Sequence, residues 1–193
     1  MPFSTGVPAL DEMIGGGLPA GALTSIYSAP GVVGRRRLLC LIAEANNSIF
    51  VDCDHFYRRR PKVSTLEYED ALEGLILAAR SRAEVIVLDP VTFVRNEQGL
   101  NRFVPNSAAL VRKCQASGKT IVLGWSGRAM TTSAKYASHL TLKVHDDNCT
   151  VTIEKSRTVN AGAVLPGVIP IPAKKVAPAV VKNRFDLINE EEL

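Results

Sequence analysis

The sequence predicts an α/β fold, a mostly parallel sheet flanked by helices and closed at one edge by an antiparallel C-terminal hairpin. Three observations carry this. Short apolar runs at 23–27, 48–52, 85–89 and 120–123 alternate with helix-length stretches at 35–45, 66–80 and 107–116. The stretches 49–51, 85–88 and 121–123 within them are continuously apolar instead of alternating, as expected for strands buried on both faces of a parallel sheet. Two further runs, 140–145 and 149–154, flank Asp146-Asp147-Asn148, a hairpin signal.

The first strand and helix are joined by a Gly/Pro turn within residues 25–39, in the layout of a phosphate-binding loop. The template is G-x-x-x-x-G-K-[ST]: backbone N–H groups and the lysine cradle phosphates, and the hydroxyl holds Mg²⁺. We read Ser28 at the first glycine, Gly31 in the turn, Gly34 at the second glycine, Arg35 at the lysine and Arg36 at the hydroxyl, followed by Arg37. The scaffold is kept, but an arginine cannot coordinate a cation. Positive charge at a helix N-terminus is opposed by the macrodipole, by ~0.3–1 kcal/mol per residue, so an anion is expected opposite these arginines. It is either internal (Arg35 paired with Asp89 or Asp54), a nucleotide bound without metal, or an external polyanion.

The second strand ends at Asp52, and Asp54 follows; the third ends at Asp89. These carboxylates sit where a parallel sheet opens its ligand crevice. Arg58, Arg59 and Arg60 project from the same edge beside Tyr57. They form either a phosphate-binding patch with an aromatic ring to stack on a base, or a solvated face paired with Glu67, Glu69 and Asp70. Lys155 and Arg157 alternate on a strand end and so share a face, open to phosphates, nucleic acid or solvent. Trp125 is expected to be buried against the edge of the sheet, with stacking on a nucleotide as the alternative. His55, His139 and His145 lack metal-ligand spacing, and no metal site is expected.

At 193 residues the chain suits a single core domain, residues 1–160. Residues 161–193 read as a Pro/Lys-rich extended tail with an apolar-acidic end. Within that tail, 183–193 is either packed on its own domain or a docking peptide for a protein partner. No apolar run approaches the ~18 residues of a membrane span, and no signal peptide is recognisable, so no membrane association and a cytoplasmic location are expected. The cysteines 40, 53, 114 and 149 form no C-x-x-C pair and read as reduced thiols. A net charge of +4 permits a polyanionic partner.

The order of the motifs resembles the RecA-type recombinases and their RecA-fold P-loop ATPase relatives, with a degenerate Walker A motif. The match runs from Ser4-Thr5-Gly6-Val7-Pro8-Ala9-Leu10-Asp11 and Gly15-Gly16-Gly17-Leu18-Pro19-Ala20-Gly21, through the loop, to Ile49-Phe50-Val51-Asp52-Cys53-Asp54-His55 and Val85-Ile86-Val87-Leu88-Asp89. It ends at Ala134-Lys135-Tyr136-Ala137-Ser138 and Lys155-Ser156-Arg157. The resemblance implies that Asp54 stands where a glutamate activates water, Asp89 where a carboxylate holds Mg²⁺, Tyr57 where adenine stacks, and Lys155 and Arg157 where a basic pair reaches a neighbouring subunit's phosphate.

The departures argue against catalysis. Asp54 is a methylene shorter than glutamate, and Gly124-Trp125-Ser126-Gly127-Arg128 replaces the family's N-Q-x-R sensor. The loops at 95–104 and 128–135 are short for DNA-binding loops. Asp54 and Asp89 are therefore vestigial, ATP hydrolysis is not expected, and no cofactor is expected, ATP with Mg²⁺ being the candidate these residues argue against. Three readings follow: a non-hydrolysing RecA-like protein of DNA recombination, repair or replication, acting through single-stranded DNA, protein contacts or self-assembly; a divergent DNA-dependent ATPase; or a structural or regulatory subunit on a RecA-like scaffold.

Overall fold

The computed structural model describes residues 1–53, 61–68, 70–91, 103–127, 132–147 and 149–170. In chain order its elements are α1 (Pro8–Met13), β1 (Leu23–Ser28), α2 (Val33–Glu44), β2 (Ser48–Asp52), β3 (Ser64–Glu67), α3 (Ala71–Arg80) and β4 (Val85–Asp89). There follow α4 (Phe103–Ala116), β5 (Thr120–Ser126), α5 (Thr132–Ala137), β6 (Leu140–Val144), β7 (Val151–Ser156) and β8 (Val164–Leu165). The strands form one sheet in the order β3-β2-β4-β5-β1-β6-β7-β8. Pairing is parallel from β3 to β6 and antiparallel from β6 to β8.

Because successive strand residues point to opposite faces, each apolar strand feeds two cores. Ile26, Phe50, Val87, Val122 and Leu142 pack with Leu10 of α1 and with Leu38 and Ile42 of α2. Val51, Ile86, Leu88, Leu123 and Trp125 pack with Leu75 of α3, Val111 of α4 and Ala134 of α5. Each fully buried Leu, Ile, Val or Phe contributes roughly 1.5–3 kcal/mol, so both faces of the sheet carry apolar burial.

Several elements depart from the sequence expectation. A helix was expected from residue 66; instead β3 lies parallel to β2, Tyr68 N–H donates to Asp52 O (3.1 Å), and α3 starts at Ala71. Asp70 caps that helix, accepting from Leu72 N (2.7 Å) and Glu73 N (3.1 Å). Trp125 is not at an edge, because β5 continues to Ser126 between β4 and β1. Its ring is fully buried and its Nε1–H donates to Ser25 Oγ (3.1 Å). The change of composition near residue 160 does not end the sheet: β8 pairs with β7, and Val168 and Ile169 N–H both reach Cys149 O. The tail from residue 171 onward lies outside the described residues.

The N-terminal lead is a polar clamp. Asp11, on α1, accepts from Ser4 Oγ and from Thr5 N–H, both at 2.7 Å. Asn46 Nδ2 ties Ser4 O (2.7 Å) to Ile42 O (2.6 Å) at the end of α2. Gly6 has φ +74°, and a Cβ there would fall 2.7 Å from Leu41 O, so the clamp is packed directly on α2. Replacing Asp11 by Ala removes two charge-assisted hydrogen bonds. We expect a loss of about 1–3 kcal/mol, read from the urea midpoint, with an unchanged denaturant slope.

Candidate functional site

The loop between β1 and α2 is held by local chemistry. Gly31 has φ +83°, a conformation that a Cβ disfavours, and Val32 N–H closes the turn on Ala29 O (3.4 Å). The template puts four residues between its glycines, so counting five positions back from Gly34 places Ala29, not Ser28, at the first position. Ser28 is the last residue of β1, its Oγ donating to Ala29 O (3.0 Å). α2 has no side-chain cap and no acidic residue in its first turn.

Arg35 turns inward. It is 2% exposed, and its Nη2 lies 3.3 Å from Oδ2 and 3.2 Å from Oδ1 of Asp89, itself fully buried at the end of β4. Arg36 Nε approaches the same carboxylate at 3.9 Å with a quarter of its side chain exposed. Asp52 stands opposite Asp89 in the parallel register and is also buried. Across β5, a Cβ on Gly124 would overlap Asp89 Oδ1 and lie 2.6 Å from Leu39 Cδ1, so the carboxylate occupies space that any other residue would fill. Arg35 Nε and Nη1 and Arg37 Nε are buried without a hydrogen-bond partner. Behind the pair, the Cys40 thiol is pushed up to about 12, first by burial and then by the charges of Glu44, Asp89 and Asp52, with Arg37 pulling it down. It is an inert thiol.

These residues do not fit a Mg²⁺–nucleotide complex. The side chain at the template's lysine position points at Asp89, the residue that the resemblance assigns to Mg²⁺, and not outward to phosphate. The hydroxyl position carries a cation, and the aspartate is already neutralised by a guanidinium.

The other predicted site residues are scattered. Asp54, Tyr57, Arg58, Arg59 and Arg60 lie outside the described residues, as do His55, Glu69 and Arg128. Lys155 faces inward: its Nζ donates to the carbonyls of Lys135 (2.8 Å), Tyr136 (2.7 Å) and Ser138 (2.7 Å), capping the end of α5. All three ammonium N–H groups are thereby engaged, leaving none for an external phosphate. Burial, with the charges of Arg157 and Lys135, lowers its pKa. Arg157, two residues on, is exposed.

Beside that cap lies a network that sequence reasoning missed. Lys135 Nζ is 2.7 Å from Glu154 Oε2, and Tyr27 also hydrogen-bonds Glu154. Burial and Glu154 raise the Tyr27 phenol well above its usual value. Burial works to raise the Glu154 carboxyl, but the hydrogen bonds of Lys135 and Tyr27 and the charges of Lys135 and Lys143 outweigh it and hold the carboxyl below its usual range.

No protein-family model and no curated protein matches the chain. A crystal structure does: a KaiC-like protein from the hyperthermophilic archaeon Pyrococcus horikoshii OT3 aligns with a TM-score of 0.66 over 86% of this chain and 94% of that one, at 14% identity. The fold is RecA-like. At that identity the likeness concerns the fold alone. Among the described residues no helix is long and apolar enough to cross a membrane.

Two outcomes are expected. Asp89→Ala strands Arg35 in the core and should cost about 3–5 kcal/mol, whereas the double replacement Arg35→Met with Asp89→Leu should be near neutral; urea midpoints of the two variants decide this. Glu154, depressed in the folded state, adds stability above the ordinary glutamate pKa of about 4.3 and loses it as pH falls through its lower folded value. Glu154→Gln should therefore be less stable than the parent at neutral pH, and the gap should narrow steadily in acid below about pH 4.3.

Proposed function

We propose that this chain is a non-hydrolysing RecA-like protein of DNA recombination, repair or replication, working through protein and nucleic-acid contacts without a nucleotide cycle. One observation carries the reading: the residue at the catalytic-lysine position is 2% exposed and ion-paired with the aspartate that would serve Mg²⁺. Phosphoryl transfer depends on positioned cations and a free metal-binding carboxylate together, and here each element has been turned against the other. The divergent-ATPase reading would require Arg35 to leave a buried pair and Arg36 to tolerate a divalent cation beside it.

The inward turn of Arg35 also narrows the nucleic-acid half of the proposal. The candidates that remain for single-stranded DNA are the part-exposed Arg36 and Arg37, the exposed Arg157, and Arg58, Arg59 and Arg60 with Tyr57 to stack. Self-assembly and protein contacts through 183–193 belong to the same proposal. The role in recombination, repair or replication rests on the motif order and the RecA-like fold.

Calorimetric titration with ATP, with and without Mg²⁺, should give no heat, and neither mixture should raise the melting temperature, since a ligand that does not bind the native state adds no stability. Binding strengthened by Mg²⁺ would sink the proposal in favour of the ATPase. For DNA, affinity for a single-stranded oligonucleotide should fall with salt by about 0.7 log units per log unit of salt for each phosphate neutralised. Changing Arg36, Arg37, Arg58, Arg59, Arg60 and Arg157 together to alanine should abolish that dependence, and unchanged binding by the variant would remove DNA from the proposal.

A further inference from the structure

Between α4 and α5, over β5 and β1, lies a cavity of about 440 Å³. Val111, Leu123 and Trp125 line its apolar part, and Arg112, His139 and Arg157 its basic rim. Among the described residues neither rim arginine forms an ion pair.

The rim is short of an acceptor. Leu23 N–H points at His139 Nδ1 (3.4 Å), which leaves the ring proton of the neutral imidazole on Nε2. That Nε2–H faces Arg157 Nη1 across 3.5 Å, so two donors address the same space. Protonating the ring would only add charge beside Arg157; burial, and then the charges of Arg157 and Lys155, lower the His139 pKa. An anion between His139, Arg157 and Arg112 resolves the conflict, and the apolar wall behind it asks for hydrophobic side chains on the same ligand.

The chain carries a segment of that chemistry. Residues 183–193 join Phe185, Leu187 and Ile188 to Asp186, Glu190, Glu191 and Glu192. Its own chain can deliver it. Ile169 is anchored at Cys149, at the far end of β7 from Arg157, and the six residues of β7 span roughly 20 Å. Residues 171–182 extend to about 40 Å. We propose that segment 183–193 docks in the cavity of its own chain, apolar side chains toward Val111, Leu123 and Trp125, carboxylates between Arg112, His139 and Arg157.

The test is NMR titration of the His139 ring in the full-length protein and in two full-length variants. One is Glu190→Gln/Glu191→Gln/Glu192→Gln; the other, Phe185→Ser/Leu187→Ser/Ile188→Ser, keeps every acid. Docking predicts that the His139 pKa is lower in both variants by about 1 pH unit, the influence of an opposite charge within ~4–6 Å. Identical titration in all three proteins overturns the proposal. A fall confined to the glutamine variant also overturns it, since diffuse charge without contact would then explain the effect. A fall seen only at concentrations where sedimentation detects dimers overturns docking within one chain and assigns the segment to a second copy.

Discussion

A guanidinium that is 2% exposed needs a carboxylate, and the pairing of Arg35 with Asp89 is the constraint around which the centre of this protein is arranged. Burying either charge alone is far costlier than burying the pair. The pair therefore fixes the first turn of α2 over the ends of β2 and β4. It also accounts for a helix that begins with consecutive arginines and no acidic residue, an arrangement its own dipole opposes. The missing anion of α2 is supplied by the neighbouring strand.

The rest of the fold is stable on terms of its own. Both faces of the sheet are packed with apolar side chains, and polar contacts tie down the N-terminal lead, through Asp11, and the stretch after β8, through Ile169 on Cys149. Lys155 closes α5 with three carbonyl contacts.

Much of this was legible in the sequence. The continuously apolar stretches 49–51 and 85–88 mark two-sided strands, and the arginines at 35 and 36, where the phosphate-loop template has lysine and a hydroxyl, are plain from residue type. The internal pair stood among the alternatives, but choosing it required knowing that Asp89 faces α2 and that Gly124 leaves it room, which is a matter of sheet order and not of local pattern. β3 was missed because Ser64-Thr65-Leu66-Glu67 is a short, half-polar edge strand with little apolar signal. Lys155 was read as outward because strand alternation fixes a face but not what lies over it; α5 does. The basic rim at Arg112, His139 and Arg157 is assembled from distant stretches of chain and has no linear signature.

Gly124 ties the buried ion pair to β5. With Arg35 inward, Asp89 sits where a side chain on β5 would otherwise be, so the three positions are conditional on one another. Restoring a lysine at 35 leaves Arg36 beside the carboxylate. Adding a side chain at 124 evicts Asp89 while Arg35 still depends on it. Arg35, Asp89 and Gly124 therefore act as one coupled unit, in which the effect of a substitution at one position depends on the residues at the other two.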